Sequence, residues 1–424
     1  MNRIDICINI IQFIKGYLSN PYNLKQHHER KHFSRKRKLS LLQIVLFLIY
    51  SSKASLNINI SRIRDELPID FPNVSKQAVS KARQHINPSL FKTFFNSSVS
   101  IFYNKLPSRK TWNGYHIFAV DGSKLELPNS KSNFKFFGQM STTTYKKLFT
   151  MALASMIYDV LEDYIVHASI DKYLASERNA AMEHLSTLKA LNLHQNSIVI
   201  FDRGYYSKNF FRFCSQEGIL CLFRLKEGYN LSKSCTGDNI LTLSDDSKQK
   251  LPDIPIRIIQ VTLDNGTQEY LATNVFNTKI IQSMFKELYF LRWPIETKYN
   301  ELKAPLVIEE FVGATKISVI QEFFITLLLS NLCSLIKNEA DKKIAETTDE
   351  SNKYEYQANR SFIIGSLEIN LPKILCNVFK LSKIEKIYIE ATRCKSQVIP
   401  GRSFPRRRNK MGCRKHYGNR KVTR

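Results

Sequence analysis

Tyr289-Phe290-Leu291-Arg292-Trp293-Pro294-Ile295-Glu296-Thr297-Lys298-Tyr299-Asn300-Glu301-Leu302-Lys303 sets one carboxylate, Glu296, among a phenol and two cations, in the spacing Y-x-x-R-x-x-x-E-x-x-x-x-x-x-K. At about 100° per residue, positions 289, 292, 296 and 303 of an unbroken helix fall within an arc of roughly 60°, so one face would present all four. Pro294 interrupts that helix, because proline inside a helix removes a hydrogen bond and clashes with the preceding turn, whereas it is welcome at a first helical position. The expectation is a break near Trp293. Glu296 and Lys303 then lie two turns apart on the following helix, and Tyr289 and Arg292 close in from the preceding one.

Working outward from this stretch, two aspartates each follow an apolar run: Asp121 after His116-Ile117-Phe118-Ala119-Val120, and Asp202 after Ile198-Val199-Ile200-Phe201. The pattern between them is of strands at 116–120, 148–158 and 164–170, a helix over 176–191 and a fourth strand at 198–201. That order, three strands, a helix and a strand, is the order of a ribonuclease H core, in which the first and fourth strands are neighbours. Adjacent strands lie about 4.8 Å apart, so both aspartates can reach one small cation although far apart in the chain. Singly, each acid has a plainer reading. Asp121 in Val-Asp-Gly-Ser reads as a turn residue, Asp202 as a strand-end acid paired with Arg203, and Glu296 as a first-turn acid favoured by the helix dipole. Arg292 or Lys303 also reads as the partner of Glu296 in a solvated ion pair.

Together, the Tyr289, Arg292, Glu296, Lys303 spacing and the two strand-borne aspartates resemble the DDE transposases of the insertion-sequence-four family, whose signature is called YREK. Asp121-Gly122-Ser123, Ser176-Glu177-Arg178, Asp202-Arg203-Gly204-Tyr205 and Leu302-Lys303 also match family positions, and the resemblance covers about 115–330. It implies an α/β, ribonuclease H-like catalytic core at 106–217 and 281–340, interrupted by a β-rich insertion at 218–280. It implies metal-binding catalytic carboxylates at Asp121, Asp202 and Glu296, and DNA contacts from Tyr289, Arg292 and Lys303. The reaction implied is two-metal phosphoryl transfer, with Mg²⁺ as cofactor and Mn²⁺ as substitute, since hard cations take oxygen ligands and keep several waters. Double-stranded DNA, both transposon ends and target, is the implied partner, held by a dimer. Some relatives cut the second strand through a hairpin and hold a flipped base with an aromatic residue of the insertion. Here the two tryptophans, Trp112 and Trp293, lie outside that segment.

Composition points the same way. Sixty-three Lys and Arg against thirty-seven Asp and Glu give a formal charge of +26, which favours a polyanionic partner. The longest apolar runs, 41–50 and 323–329, fall short of the roughly 20 residues that span a bilayer and read as core helices. No secretory signal pattern opens the chain and the eight cysteines form no C-x-x-C pair, so reduced thiols and a cytoplasmic location are expected. Helical periodicity from 1 to about 105 predicts an N-terminal helical, DNA-binding domain. Within it, 74–83 reads as a helix capped by Ser75, with small and basic residues on one face. A C-terminal helical region is expected over 341–400. The tail 401–424 carries ten cations and no acid, and the run 30–38 is also strongly basic. Both are placed as phosphate contacts.

Overall fold

A computed structural model of the chain describes residues 1–33, 38–50, 53–141, 148–226, 228–233, 236–244, 251–349 and 351–399. The basic tail and part of the run at 30–38 lie outside the described residues.

Six helices open the chain: α1 (Arg3–Ser19), α2 (Pro21–Lys25), α3 (Leu41–Tyr50), α4 (Leu56–Glu66), α5 (Lys76–Arg83) and α6 (Ser89–Lys105). Their starts follow from side-chain caps. Asn2 and Asp5 exchange side-chain-to-backbone bonds in a capping box before α1, and Ser75 accepts the Ala78 N–H at 3.3 Å before α5, as the sequence predicts. Ile10, Ile11 and Ile14 of α1 are buried, and α1 packs on α6 and on a later long helix.

The sheet is built from β1 (His116–Leu127), β2 (Gln139–Ser141), β3 (Leu148–Asp159), β4 (Tyr164–Lys172), β5 (Ser197–Phe201), β6 (Leu220–Arg224), β7 (Asp238–Leu243), β8 (Ile254–Thr262) and β9 (Gln268–Thr273), in the order β2-β3-β1-β5-β6-β9-β8-β7. Both β2 and β4 pair antiparallel with β3. β1 is antiparallel to β3 and parallel to β5, and β5 is parallel to β6. The expected adjacency of the first and fourth predicted strands is therefore present, as β1 beside β5. β5 is buried along its whole length. A Val/Ile/Phe run fits there because a central parallel strand is covered on both faces.

Several features depart from the sequence reading, among them α7 and β2, which stand between β1 and β3 where no element was expected. β1 does not stop at Val120 but runs on to Leu127, pairing with β3 from Phe118↔Asp159 to Leu127↔Thr150. Asp121 is thus a mid-strand residue and not a turn. The strands of 218–280 extend the same sheet: β6 lies beside β5, and β9 pairs antiparallel with β6 and β8. Asp264-Asn265-Gly266, whose Asn-Gly pair is a strong hairpin signal, joins β8 to β9, with Gly266 at φ +80°, a conformation glycine adopts without steric cost.

Helices flank the sheet: α7 (Lys131–Phe137), α8 (Glu177–Ala190), α9 (Lys208–Gln216), α10 (Asn230–Lys233), α11 (Met284–Phe290), α12 (Trp293–Lys303), α13 (Lys316–Thr347), α14 (Arg360–Leu375) and α15 (Ser382–Arg393). By length and composition α13 is apolar enough to cross a membrane, yet 89% of its apolar window is buried inside the protein. It is the central helix against which α1, α6, α14, α15 and β4 pack. The C-terminal region also carries a short antiparallel ribbon, β10 (Glu355–Ala358) with β11 (Lys395–Val398), absent from the helical expectation.

Candidate active site

The last residue pair of the parallel β1–β5 ladder is Val120↔Phe201. Asp121 and Asp202 are the next residue on each strand, so strand register alone brings together two side chains eighty-one positions apart. β5 ends there while β1 continues, which leaves β1 open on that side beyond Val120. The chain after Asp202 turns at once, with the Tyr205 N–H bonding the Asp202 carbonyl at 3.0 Å. Arg178, in the first turn of α8, holds this turn by donating to the carbonyls of Gly204, Tyr205 and Tyr206 at 3.1, 3.0 and 3.2 Å.

The signature stretch folds as its proline dictates. α11 ends at Phe290, Leu291 and Arg292 form the break, and α12 starts at Trp293 with Pro294 in its first turn. Tyr299, one turn beyond Glu296, seats α12 on the sheet: its buried hydroxyl lies 2.9 Å from the Asp121 carbonyl and 3.2 Å from that of Ala154. Glu296 is thereby brought to the strand that bears Asp121. The Tyr289 hydroxyl donates to Asp202 Oδ1 at 3.2 Å, and Arg292 Nη2 donates to Glu296 Oε1 at 2.8 Å. Lys303 reaches β1, donating to Ser123 Oγ at 2.7 Å and to the Lys124 carbonyl at 3.0 Å. All six residues named from the sequence therefore lie along one line of contact between α11–α12 and the middle of β1 where β5 ends beside it.

The Arg292–Glu296 pair does form, but not on a solvated face: Arg292 is only 4% exposed, and its Nε is buried without a hydrogen-bond partner. Its guanidinium lies over the rings of Tyr289 and the half-exposed Trp293. The Asp121 carboxyl is raised to about 6: burial pushes it up most, Asp202 and Glu296 add to that, and the Gly122 N–H and Arg292 pull it down. Burial likewise raises the Tyr289 phenol, with Asp202 adding to the effect. Burial would lower the Arg292 guanidinium, yet Tyr289, Glu296 and Asp202 hold it above its ordinary range. One acid near neutrality, two others close by and one buried guanidinium make this a single electrostatic neighbourhood.

A divalent ion suits the donor set, which is all oxygen, with neither thiol nor imidazole among the three acids. Among the described residues, however, no three His, Cys, Asp or Glu side chains stand close enough together to hold an ion as they are. Glu296 is turned to Arg292 and Asp202 is engaged by Tyr289. Gathering the three acids requires those two contacts to yield.

Sequence reasoning named Arg178 only as a matching family position and missed Tyr299: both bond main-chain carbonyls, a role that leaves no mark in residue pattern. In α5, Arg83 does not join a basic surface. It is 1% exposed and bonds Glu322, Gln321 and the Ser318 carbonyl of α13, leaving Lys76, Gln77 and Lys81 outward.

The molecule is thus a mixed α/β protein with a partly buried acidic centre where β5 ends beside the continuing strand β1, flanked by a helix that brings a third acid and cations. A family model described as a transposase DDE domain matches residues 112–332, from just before β1 to the middle of α13, and the chain belongs to that family. Among solved structures it is similar to the piggyBac transposase in its synaptic complex with hairpin DNA, with a TM-score of 0.47 and 9% identity over 95% of this chain and 87% of that one. No curated protein sequence matches.

Proposed function

We propose that the protein is a transposase of the insertion-sequence-four group with a ribonuclease H-like core, cleaving DNA at the terminal inverted repeats of its own element and joining the 3′ ends to target DNA. The observation that carries this reading is the step beyond Val120↔Phe201, which sets Asp121 beside Asp202 where α12 delivers Glu296. These three acids are the catalytic, metal-binding set. Bound there, Mg²⁺ or Mn²⁺ would make water or a 3′ hydroxyl more nucleophilic and stabilise the departing oxygen.

The protein's own residues supply the rest. A DNA phosphate arriving at Arg292 offers two oxygens to its planar fork and competes with Glu296 for it, which frees the Glu296 carboxylate to turn toward Asp121. Tyr289, held on Asp202 without substrate, can pass its hydroxyl to the same phosphate. Lys303, two turns along α12, contacts the next stretch of backbone from its seat on β1. In this reading 1–105 binds DNA, 106–217 and 281–340 form the catalytic core, 218–280 is the insertion, and 401–424 adds sequence-independent affinity. Two ends must be held together, so the active assembly on DNA is at least a dimer.

The test incubates the protein with a labelled terminal repeat, a target plasmid and Mg²⁺. Joined products are expected, and Asp202→Asn should bind the repeat as the wild type does while cutting nothing. Nicks without joining would make the protein a nuclease; binding without cutting would make it an inactive descendant. Wild-type cutting by the Asp202→Asn variant would remove that residue from the site.

A further inference from the structure

A fourth acid borders this centre from the other face of the sheet. Side chains alternate along β1, so Asp121 and Ser123 face α12 while Gly122 and Lys124 face the opposite way, toward α8. Glu177 is the first residue of α8, directly after the cap Ser176. A Cβ at Gly122 would stand 3.3 Å from Glu177 Cδ and 3.4 Å from its Cγ. Gly122 is not among the glycines with positive φ, and the space over it is shared by the Glu177 carboxyl and the Leu153 side chain, whose Cδ1 would also stand 3.3 Å from that Cβ.

That carboxyl has little else to do. Lys124 is its ion-pair partner at 3.9 Å, between side chains about 40% exposed, and the Lys124 ammonium has a closer bond, 2.9 Å, to the Tyr173 carbonyl. A long, wet pair of this kind contributes little. A separate observation comes from Tyr205 in the turn after Asp202. It is 2% exposed, and its hydroxyl, lying toward Ser155, makes no hydrogen bond of acceptable geometry. Burial raises this phenol most, and the charges of Asp121, Glu177 and Asp202 raise it further. A buried hydroxyl in the turn beside Asp202, with no hydrogen-bond partner among the described residues, is a donor or acceptor for a further oxygen, such as a water of a hydrated cation. The open side of β1 beyond Val120 lets groups from both faces meet there.

We propose that Glu177 is a fourth carboxylate of the divalent-ion site, approaching from α8 around the open edge of β1, with the Tyr205 hydroxyl bonding a water carried by the ion. This rests on the reading of Asp121, Asp202 and Glu296 as the ion-binding set. The full-length protein, mixed with a duplex of its terminal repeat ending in a free 3′ hydroxyl, is titrated with Mn²⁺ and bound ion is followed by electron paramagnetic resonance. The Mg²⁺ dependence of end cleavage is measured alongside. Glu177→Gln should weaken Mn²⁺ binding by at least the roughly 10–100-fold lost when a group supporting a metal is removed, with high Mg²⁺ restoring cleavage. Glu177→Asp, which keeps a charge at the start of α8 but draws the carboxylate back, should weaken it too, and Lys124→Ala should not.

If Glu177→Gln and Glu177→Asp bind Mn²⁺ like the wild type while Asp202→Asn does not, the proposal fails and the wider reading stands. If Glu177→Asp alone behaves as wild type, Glu177 serves the helix dipole. If Lys124→Ala reproduces the loss, Glu177 serves an ion pair. Either outcome overturns the proposal. If Asp202→Asn itself binds Mn²⁺ normally, the ion is not held here and both readings fall. Thermal unfolding in chelator verifies that each variant is folded, and Glu177→Asp decides the matter should Glu177→Gln not fold.

Discussion

Asp121 carries an energetic penalty that its neighbours only partly offset. Its carboxyl titrates at about 6 against an ordinary 3.8, chiefly through burial. A raised acid pKa means that the folded state prefers the protonated form. The fold is therefore unpenalised below pH 4 and loses stability as pH rises through 4 to 6. Raising a carboxyl from 3.8 to about 6 costs the ionised fold at most about 3 kcal/mol. Asp121→Asn should accordingly stabilise the protein in chelator at pH 7.5 by about 1–3 kcal/mol, and the gain should vanish near pH 4, as read by urea unfolding at the two pH values. No gain at pH 7.5 would mean that the acid is already neutralised without a cation. The sequence pattern ends the strand at Val120 and its plainer reading makes Asp-Gly a turn; the register of a twelve-residue β3 alongside carries the strand on through Asp121.

At the scale of elements, the phase of α12 was legible from the proline and the spacing, but what waits on each of its faces was not. Lys298, two residues from Glu296, points away from the site, as helix geometry requires. It ends 2% exposed, within 2.7 Å of Asp163, 2.9 Å of Glu301 and 3.1 Å of Ser334. Arg360, at the start of α14, pairs with the same two acids. Burial would raise the Asp163 carboxyl, yet Lys298 and Arg360 hold it far below its usual range. Glu301 is the i+3 neighbour on α12 itself, but Asp163, Ser334 and Arg360 come from the β3–β4 turn, α13 and α14, and nothing local announces them. Removing one member of a buried network strands the others, and Lys298→Met should cost about 3–5 kcal/mol in urea unfolding; a cost below about 1 kcal/mol would show that Arg360 alone suffices. The first turn of α8 acts similarly on the site. Arg178→Lys keeps the charge but loses the fork across three carbonyls, at about 1 kcal/mol locally. Amide exchange should then rise over 203–207 but not elsewhere, with slower cleavage of bound ends. Unchanged exchange there would show that the turn after Asp202 holds itself.

Across the whole molecule, the parts the sequence disclosed best are those governed by short-range pattern: the order β1, β3, β4, α8, β5, though not α7 and β2 within it, the hairpin before β9, and the apolar run at the heart of α13. The parts it hid depend on distant pairing, above all the joining of β6 to β9 onto the same sheet and the burial of Arg83 against Glu322, more than two hundred residues away. Net charge is the one global property read without any fold. Of the +26, the segment 401–424 supplies ten cations and no acid, so without it the charge would be 26 − 10 = +16. A protein that neutralises about eight DNA phosphates loses affinity with a slope near −7 in log K against log salt. Fluorescence anisotropy of the terminal repeat over about 50–200 mM NaCl should give a slope of that order. Deleting 401–424 should reduce it by roughly half while leaving cleavage at saturating DNA unchanged, because counterion release by the tail adds affinity without touching Asp121, Asp202 or Glu296. A truncated protein with the full slope would move the phosphate contacts onto the folded body, to the outward cations of α5 and the signature residues of α11 and α12.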